Sequence, residues 1–354
     1  MTSLLAIERF VPAYRYTQPE VESYARAWLG ESGDAAARRL LRVYDTAGVR
    51  VRGSVLPIEQ VFAEPDFEAR NDAYREAARA AGIDLARRAL AAAGLAPGDV
   101  RFLISVSCTG FMIPALDAHV ADALGLGPRL ARLPITEAGC AGGVVALQRA
   151  HDYLTAHPEQ AALVLAVELS SLTFQRWDRS PANVVSAAIF GDGGAACVLV
   201  GERHPLAERR RARVAACESR FFPRTLHLMG FRLRNQGLQI LLDRELAPFV
   251  RRHVREVVDG FLEREGIQRS QLQRFVLHPG GRRIVEAMAY ELGLAAGDLA
   301  PTEAVLSEHG NMSSVTVLFV LDEVLRRYPP EPGSRGLVGA FGPGFAAELA
   351  LLEF

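Results

Sequence analysis

The sequence predicts an α/β fold made of two βαβ-rich halves that repeat one another about a pseudo-twofold axis. Three observations carry this expectation. Two short apolar runs end in polar residues of the kind that do chemistry, an apolar-rich helix pattern follows a Gly-containing turn in each half, and the spacings between matching positions agree.

The first run, Phe102 to Cys108 (FLISVSC), reads as a buried strand stopping at Thr109-Gly110, and Phe275 to His278 (FVLH) stops the same way at Pro279-Gly280. A helix pattern follows each, PALDAHVADALGLG in one half and GRRIVEAMAYELGLA in the other. The helix leading into each strand closes on a glycine, Gly94 or Gly266, as helices with left-handed C-caps do. Further on, Gly139-Cys140 opens AGGVVALQRAHDYL and Gly310-Asn311 opens MSSVTVLFVLDEVL. Cys140 lies 32 residues after Cys108, and Asn311 lies 33 after His278. Each half then ends in strand patterns joined through Gly turns, AALVLAVE with FGDGGAACVLVG and RGLVGAFGPGFAAELALLEF. The expected halves are residues 1–205, with Cys140, and 206–354, with His278 and Asn311.

Both central helices are too apolar for a surface position, so they are expected between sheet layers. A pseudo-twofold then brings four side chains together: Cys108 and His278 from equivalent strand ends, Cys140 and Asn311 from equivalent helix starts. A cysteine at a helix start is otherwise a small buried hydrophobe, which is the reading for Cys197 and Cys217. For Cys140 and His278 the duplication predicts convergence, and convergence favours chemistry.

Composition narrows the function classes. Forty basic side chains against forty-one acidic ones leave no electrostatic footprint for nucleic acid. Arg209-Arg210-Arg211 reads as a solvated surface run. The four cysteines lack CxxC spacing, so reduced thiols without a metal are expected. The apolar patch in MTSLLAIERF is too short for a signal peptide, and no apolar stretch approaches the ~18 residues of a membrane span. A soluble cytoplasmic protein is the expectation.

A thiol attacks as its thiolate, and both a helix N-terminus and a neighbouring imidazole are expected to lower the pKa of Cys140. The small residues Ala141, Gly142 and Gly143 would let backbone amides approach an acyl oxygen. Asn311, beside His278, can donate to a second carbonyl oxygen, an arrangement suited to an enolate. A hydrolase would use its Asn or Asp to orient the His instead.

GCAGG around Cys140, HPGG from His278, GNMSS from Asn311 and FGPG (Phe341 to Gly344), in this order, resemble the type III polyketide synthases, the chalcone-synthase-like branch of the thiolase superfamily. SCTGFMIP, VELSSLTF and IFGDGGAA agree as well, and FGPG argues against a class three β-ketoacyl carrier-protein synthase. The resemblance implies a five-layered αβαβα homodimer that uses acyl-CoA and malonyl-CoA, with no metal and no cofactor. Cys140 would hold the starter, and His278 and Asn311 would promote decarboxylation of malonyl-CoA. Phe190 matches a gatekeeper on the CoA tunnel, and Ile113 matches a loop residue that reaches into the partner's cavity. Arg39 and Arg42 fall where basic residues contact the CoA phosphates. Cys108, Ser170, Thr173, Ser313, Phe341, Gly342 and Pro343 fall at cavity positions.

Ile240 falls at a second gatekeeper position that is usually Phe. With HLMGF (His227 to Phe231) before it, the segment resembles alkylresorcinol and alkylpyrone synthases, which take medium or long fatty acyl-CoA starters. Cys108 is shared with tetrahydroxynaphthalene synthases, so a synthase using malonyl-CoA alone is the close alternative. A cysteine thioester hydrolase and a non-catalytic acyl-binding protein are the alternatives from other classes.

Overall fold

The computed structural model describes residues 1–30, 35–63 and 65–354. In chain order the first half comprises β1 (Thr2–Phe10), β2 (Tyr14–Thr17), α1 (Gln18–Leu29), α2 (Ala35–Thr46), β3 (Val51–Ser54), α3 (Ile58–Val61), α4 (Phe67–Ala93), β4 (Val100–Val106), α5 (Leu116–Leu124), β5 (Ala131–Ile135), α6 (Gly142–Ala156), β6 (Ala161–Leu169), α7 (Pro181–Ile189) and β7 (Asp192–Gly201). The second comprises β8 (Ala212–Phe221), β9 (Met229–Arg234), β10 (Gly237–Leu242), α8 (Leu246–Arg264), β11 (Leu272–Leu277), α9 (Arg282–Leu292), α10 (Ala300–His309), α11 (Thr316–Arg327), β12 (Arg335–Gly342) and β13 (Ala346–Glu353). The helix preceding β4 ends at Gly94 with φ +73°, and the one preceding β11 is followed by Gly266 at φ +69°, the left-handed stops the sequence suggested.

Nine strands share one sheet, in the order β11-β12-β13-β8-β1-β7-β6-β4-β5. β1 pairs with β7 from Thr2 to Phe10 but meets β8 only through Thr2 to Leu4, so the two halves of the sheet join at one corner. Side-chain alternation explains the unbroken apolar runs: in β6, Ala162, Val164 and Ala166 enter the central core, while Leu163, Leu165 and Val167 enter an outer one. The central core joins Ile104, Val164 and Cys197 of one half to Val338, Ala340 and Ala350 of the other through α6 and α11. The outer cores pack α4 and α5 on the first half and α8 and α9 on the second. The layering is therefore αβαβα, with α6 and α11 in the middle layer, as the resemblance implied.

Gly142 and Gly143 let the middle layer close. A Cβ on Gly143 would sit 2.3 Å from the Ser314 carbonyl oxygen, and one on Gly142 would sit 2.6 Å from Val106 Cγ1 and 3.2 Å from Ser314 Cβ. These glycines let α6 pack against the turn before α11 and against β4.

All forty basic side chains are arginine, and several pair with carboxylates at the surface, as Arg88 does with Glu8 and Asp84 and Arg264 with Glu218. No helix among the described residues is long and apolar enough to cross a membrane. Gly143→Ala is expected to destabilise the fold by about 1–3 kcal/mol through overpacking. Urea unfolding measures this, and an unchanged midpoint would contradict the close helix approach.

Candidate active site

Cys140 occupies a single 3₁₀ turn (Gly139–Ala141) that leads into α6, and Asn311 precedes the matching turn (Ser313–Val315) into α11. Cys108 lies two residues beyond β4, and His278 directly follows β11. The pseudo-twofold thus delivers the four residues from the elements anticipated. Cys140, His278 and Asn311 are all buried and wall one void of about 40 Å³, closed by Phe190, Met229, Leu242 and Phe341 among others. Cys140, Phe190, Met229 and Leu242 also wall a larger cavity of about 410 Å³ on the other side.

The Asn311 amide is held in one orientation. Its Oδ1 accepts from the Ser313 backbone N–H at 2.8 Å and from Thr316 Oγ1 at 3.4 Å, which leaves Nδ2 as the end that donates, here to the Gly280 carbonyl at 3.4 Å. The Asn311 backbone is fixed as well: its N–H donates to the Ile189 carbonyl at 2.7 Å, and its carbonyl accepts from Gly191 N at 3.0 Å.

The FGPG loop lies over the Cys140 turn. Gly139 has φ +50°, and a Cβ there would come within 2.7 Å of the Pro343 ring. Gly342 does not line the cavity as expected; a Cβ on it would lie 2.5 Å from Ala141 Cβ and 2.7 Å from the Ala138 carbonyl oxygen, so its role is close packing beneath the nucleophile turn. Phe341 borders the catalytic void and stacks on the fully buried Phe345 at an interplanar angle of 12°.

Cys108, Ser170, Thr173, Ser313, Pro343 and Ile240 line the larger cavity. The β9–β10 hairpin supplies its apolar wall. Cross-strand register places Met229 opposite Leu242, Phe231 opposite Ile240 and Leu233 opposite Leu238, all on the cavity face. Phe111, Leu226 and Leu233 carry this wall out to solvent. Ile113 is 99% exposed and is not among the residues that line this cavity. Arg39 and Arg42 sit on the exposed side of α2, a helix that packs on α7, which ends at Phe190. No cluster of three or more His, Cys, Asp or Glu side chains able to hold a metal occurs among the described residues.

Residues 1–203 match the N-terminal domain, and residues 213–353 the C-terminal domain, of the chalcone and stilbene synthases. The chain belongs to that family. It is 39% identical to 1,3,6,8-tetrahydroxynaphthalene synthase of Streptomyces peucetius subsp. caesius, over 100% of this chain and 93% of that protein. It is 30% identical to the α-pyrone synthesis polyketide synthase-like Pks18 of Mycobacterium tuberculosis, over 89% of this chain and 82% of that one. The crystal structure of tetrahydroxynaphthalene synthase from Streptomyces coelicolor A3(2), a bacterial type III polyketide synthase, matches with a TM-score of 0.93 at 32% identity, covering 99% of each chain. The enzyme is therefore a type III polyketide synthase, an acyltransferase class that extends chains with malonyl-CoA and needs no cofactor beyond its CoA thioesters.

The electrostatics of this synthase depart from the sequence expectation. Burial pushes the Cys140 thiol up to about 11; hydrogen bonding from Ser313, Asn311 and its own backbone N–H offsets only part of this, and the Glu168 charge adds to it. Burial also drives the His278 imidazole down to about 3, and both of its ring nitrogens are buried without a hydrogen-bond partner among the described residues. Neither group carries a charge alone at neutral pH. Moving the thiol proton to the imidazole puts opposite charges around one void, where their attraction opposes the desolvation of each. The helix start is thus not enough by itself to make the thiolate, because burial outweighs it.

Glu168, at the end of β6, was not singled out from the sequence. It is fully buried, burial raises its pKa, and it accepts from Ser314 Oγ at 2.6 Å, Thr109 Oγ1 at 2.9 Å and Cys108 N at 3.0 Å. It therefore ties both halves together beneath the two thiols. Cys108, whose Sγ lies 3.4 Å from Ser313 Oγ, is also pushed well up, first by burial and then by this carboxylate. A lone charge closing a nine-residue apolar strand was the available signal.

His278→Ala removes the proton acceptor that shares the void with Cys140. The apparent pKa for alkylation of Cys140 by iodoacetamide, read from rate against pH, is expected to rise in that variant. An unchanged or lower value would mean that the imidazole does not support the thiolate.

Proposed function

We propose that this synthase loads an acyl-CoA starter, most suitably a medium or long fatty acyl group, onto Cys140 and extends it with malonyl-CoA before cyclisation to an alkylpyrone or alkylresorcinol. The observation that carries this reading is the shared void: Cys140, His278 and Asn311 surround one small space that is walled off by Cys140, Phe190, Met229 and Leu242 from a cavity with a continuous apolar wall.

Loading begins as Cys140 Sγ attacks the thioester carbon while its proton passes to His278. CoA then leaves as the thiol, taking that proton back. Malonyl-CoA enters next, its thioester oxygen accepting from an imidazole N–H of His278 and from Nδ2 of Asn311. The imidazole N–H, on a ring with no hydrogen-bond partner among the described residues, and the fixed amide can each donate to such an oxygen. The carboxylate departs as carbon dioxide, leaving its electron pair as an enolate. The enolate carbon attacks the Cys140 thioester, a carbon–carbon bond forms, and Cys140 is released. The lengthened CoA ester then returns its chain to Cys140 for another round.

Ile240 in place of an aromatic ring, together with Met229, Leu238 and Leu242, suits a hydrocarbon chain. Each buried methylene contributes about 0.8 kcal/mol, enough for chain-length selection without polar contacts. The exposed guanidinium groups of Arg39 and Arg42 suit the CoA phosphates on the Phe190 side. The exposed Ile113, beside Phe111 at the cavity rim, suits insertion into a second copy, which makes the working form a homodimer. The halves 1–205 and 206–354 then divide the labour: one carries the acyl group, the other the enolate donors.

A second reading, a synthase using malonyl-CoA alone, is favoured by the resemblance to tetrahydroxynaphthalene synthase and by Cys108 with small hydroxyl neighbours at the cavity floor. A starter panel with malonyl-CoA and mass-spectrometric product identification separates the two. Fatty acyl products support the first reading, and a product built from malonate alone supports the second.

Cys140→Ala is expected to lose the acyl adduct seen by intact mass; an adduct that persists overturns the nucleophile assignment. Asn311→Ala is expected to acylate but to release little carbon dioxide from malonyl-CoA, and near-native release would remove Asn311 from the enolate step. Ile240→Phe is expected to shorten the accepted starter, which a competition among CoA esters of graded length would show.

A further inference from the structure

Arg52, on β3, is buried, and its guanidinium meets no carboxylate within ion-pair distance among the described residues. A lone buried cation needs dipoles in place of a counter-ion. The dipoles here are the carbonyls at the end of α7. Nη1 donates to the Ala187 carbonyl at 2.7 Å and to the Phe190 carbonyl at 3.0 Å, and Nη2 donates to Ala188 at 2.6 Å and to Gln18 Oε1. Gln18 braces the same place, its Nε2 donating to Ala188 at 3.1 Å. These carbonyls are the unsatisfied, negative end of the helix, where a cation is favoured.

The remaining carbonyl of the stretch, that of Ile189, accepts from Asn311 N, and Gly191 N donates back to the Asn311 carbonyl. Residues 187–191 are thus gripped by Arg52 on one side and by the Asn311 backbone on the other. Gly191 has no room to yield: a Cβ there would lie 2.5 Å from the His309 carbonyl and 3.1 Å from Arg52 Cβ. Phe190, which walls both the catalytic void and the larger cavity, stands in the middle of this clamp.

We propose that Arg52 is a positioning residue that locks the Phe190 gate and Asn311 into one unit, so that malonyl-CoA decarboxylation depends on it while acylation of Cys140 does not. The asymmetry follows from connectivity. Arg52 touches the segment paired with Asn311, whereas Cys140 and His278 sit on the α6 turn and the end of β11, which it does not touch. The inference rests on the roles given above to Cys140 and Asn311.

The test compares wild type, Arg52→Gln and Arg52→Lys. Lysine keeps the cation but lacks the planar fork that reaches several carbonyls at once. Circular-dichroism melting establishes folding, intact mass follows Cys140 acylation by decanoyl-CoA, and carbon dioxide release from labelled malonyl-CoA follows decarboxylation. Arg52→Gln is expected to slow decarboxylation about tenfold or more while acylation stays within about threefold, with Arg52→Lys intermediate. Should Arg52→Gln fail to fold, Arg52→Lys carries the same comparison. Equal losses in both reactions, or no loss in either, overturn the positioning role. A wild-type enzyme that neither takes the decanoyl group nor releases carbon dioxide overturns the proposed function instead.

Discussion

The candidate site depends on how closely α6 meets its neighbours: only hydrogen fits at Gly143 against Ser314 and Val317 of the other half, and at Gly142 against Val106 of β4. That approach sets the Cys140 turn beside the turn after Asn311, where Ser314 meets both α6 and β6. Its carbonyl faces Gly143, and its hydroxyl donates to Glu168 on β6. Interiors packed like crystals transmit displacement instead of absorbing it, so the separation of two reactive groups is set here by a helix contact and not by the groups themselves. The FGPG loop repeats the device: Gly342 lies against Ala141 so that Pro343 can cover Gly139.

Around this contact the protein buries charged side chains without pairing them. Glu168 is met by hydroxyls and one amide, Asp192 by Ser171 N, Ser171 Oγ and Val55 N, and Arg52 by carbonyls. Neutral dipoles hold a charge in place without cancelling its field. The Glu168 field is felt by both thiols, whose pKa values it raises further. Burial and this field together keep the Cys140 thiol protonated at neutral pH.

The fold was legible because it is duplicated. Two strands, two central helices and two sets of glycine stops recur at equal spacing, and the pairing of Cys108 with His278 and Cys140 with Asn311 follows from symmetry. The parts that stayed hidden depend on partners far away in the chain. Arg52 reads as one more surface arginine until α7 places its last carbonyls around the guanidinium, more than a hundred residues later. Glu168 reads as a strand end meeting water. Gly142 and Gly143 invite a catalytic reading because they follow Cys140, while the distant neighbours that leave no room for a side chain there, Val106 and Ser314, are not announced by the local sequence. Burial set the ionisation of the pair, and a local sequence does not announce how completely water is excluded.

The arginine-only surface bears on acyl transfer. Thioesters acylate primary amines to give amides, which do not revert as thioesters do. A guanidinium with a pKa above about 12 stays protonated and does not compete for acyl groups, whereas a deprotonated lysine amine does. With no lysine side chain anywhere in the chain, no ε-amine can divert an activated acyl group, and a chain passed between CoA and a cysteine remains exchangeable. The choice of cation on the outside thus protects the reversibility of the bond formed within.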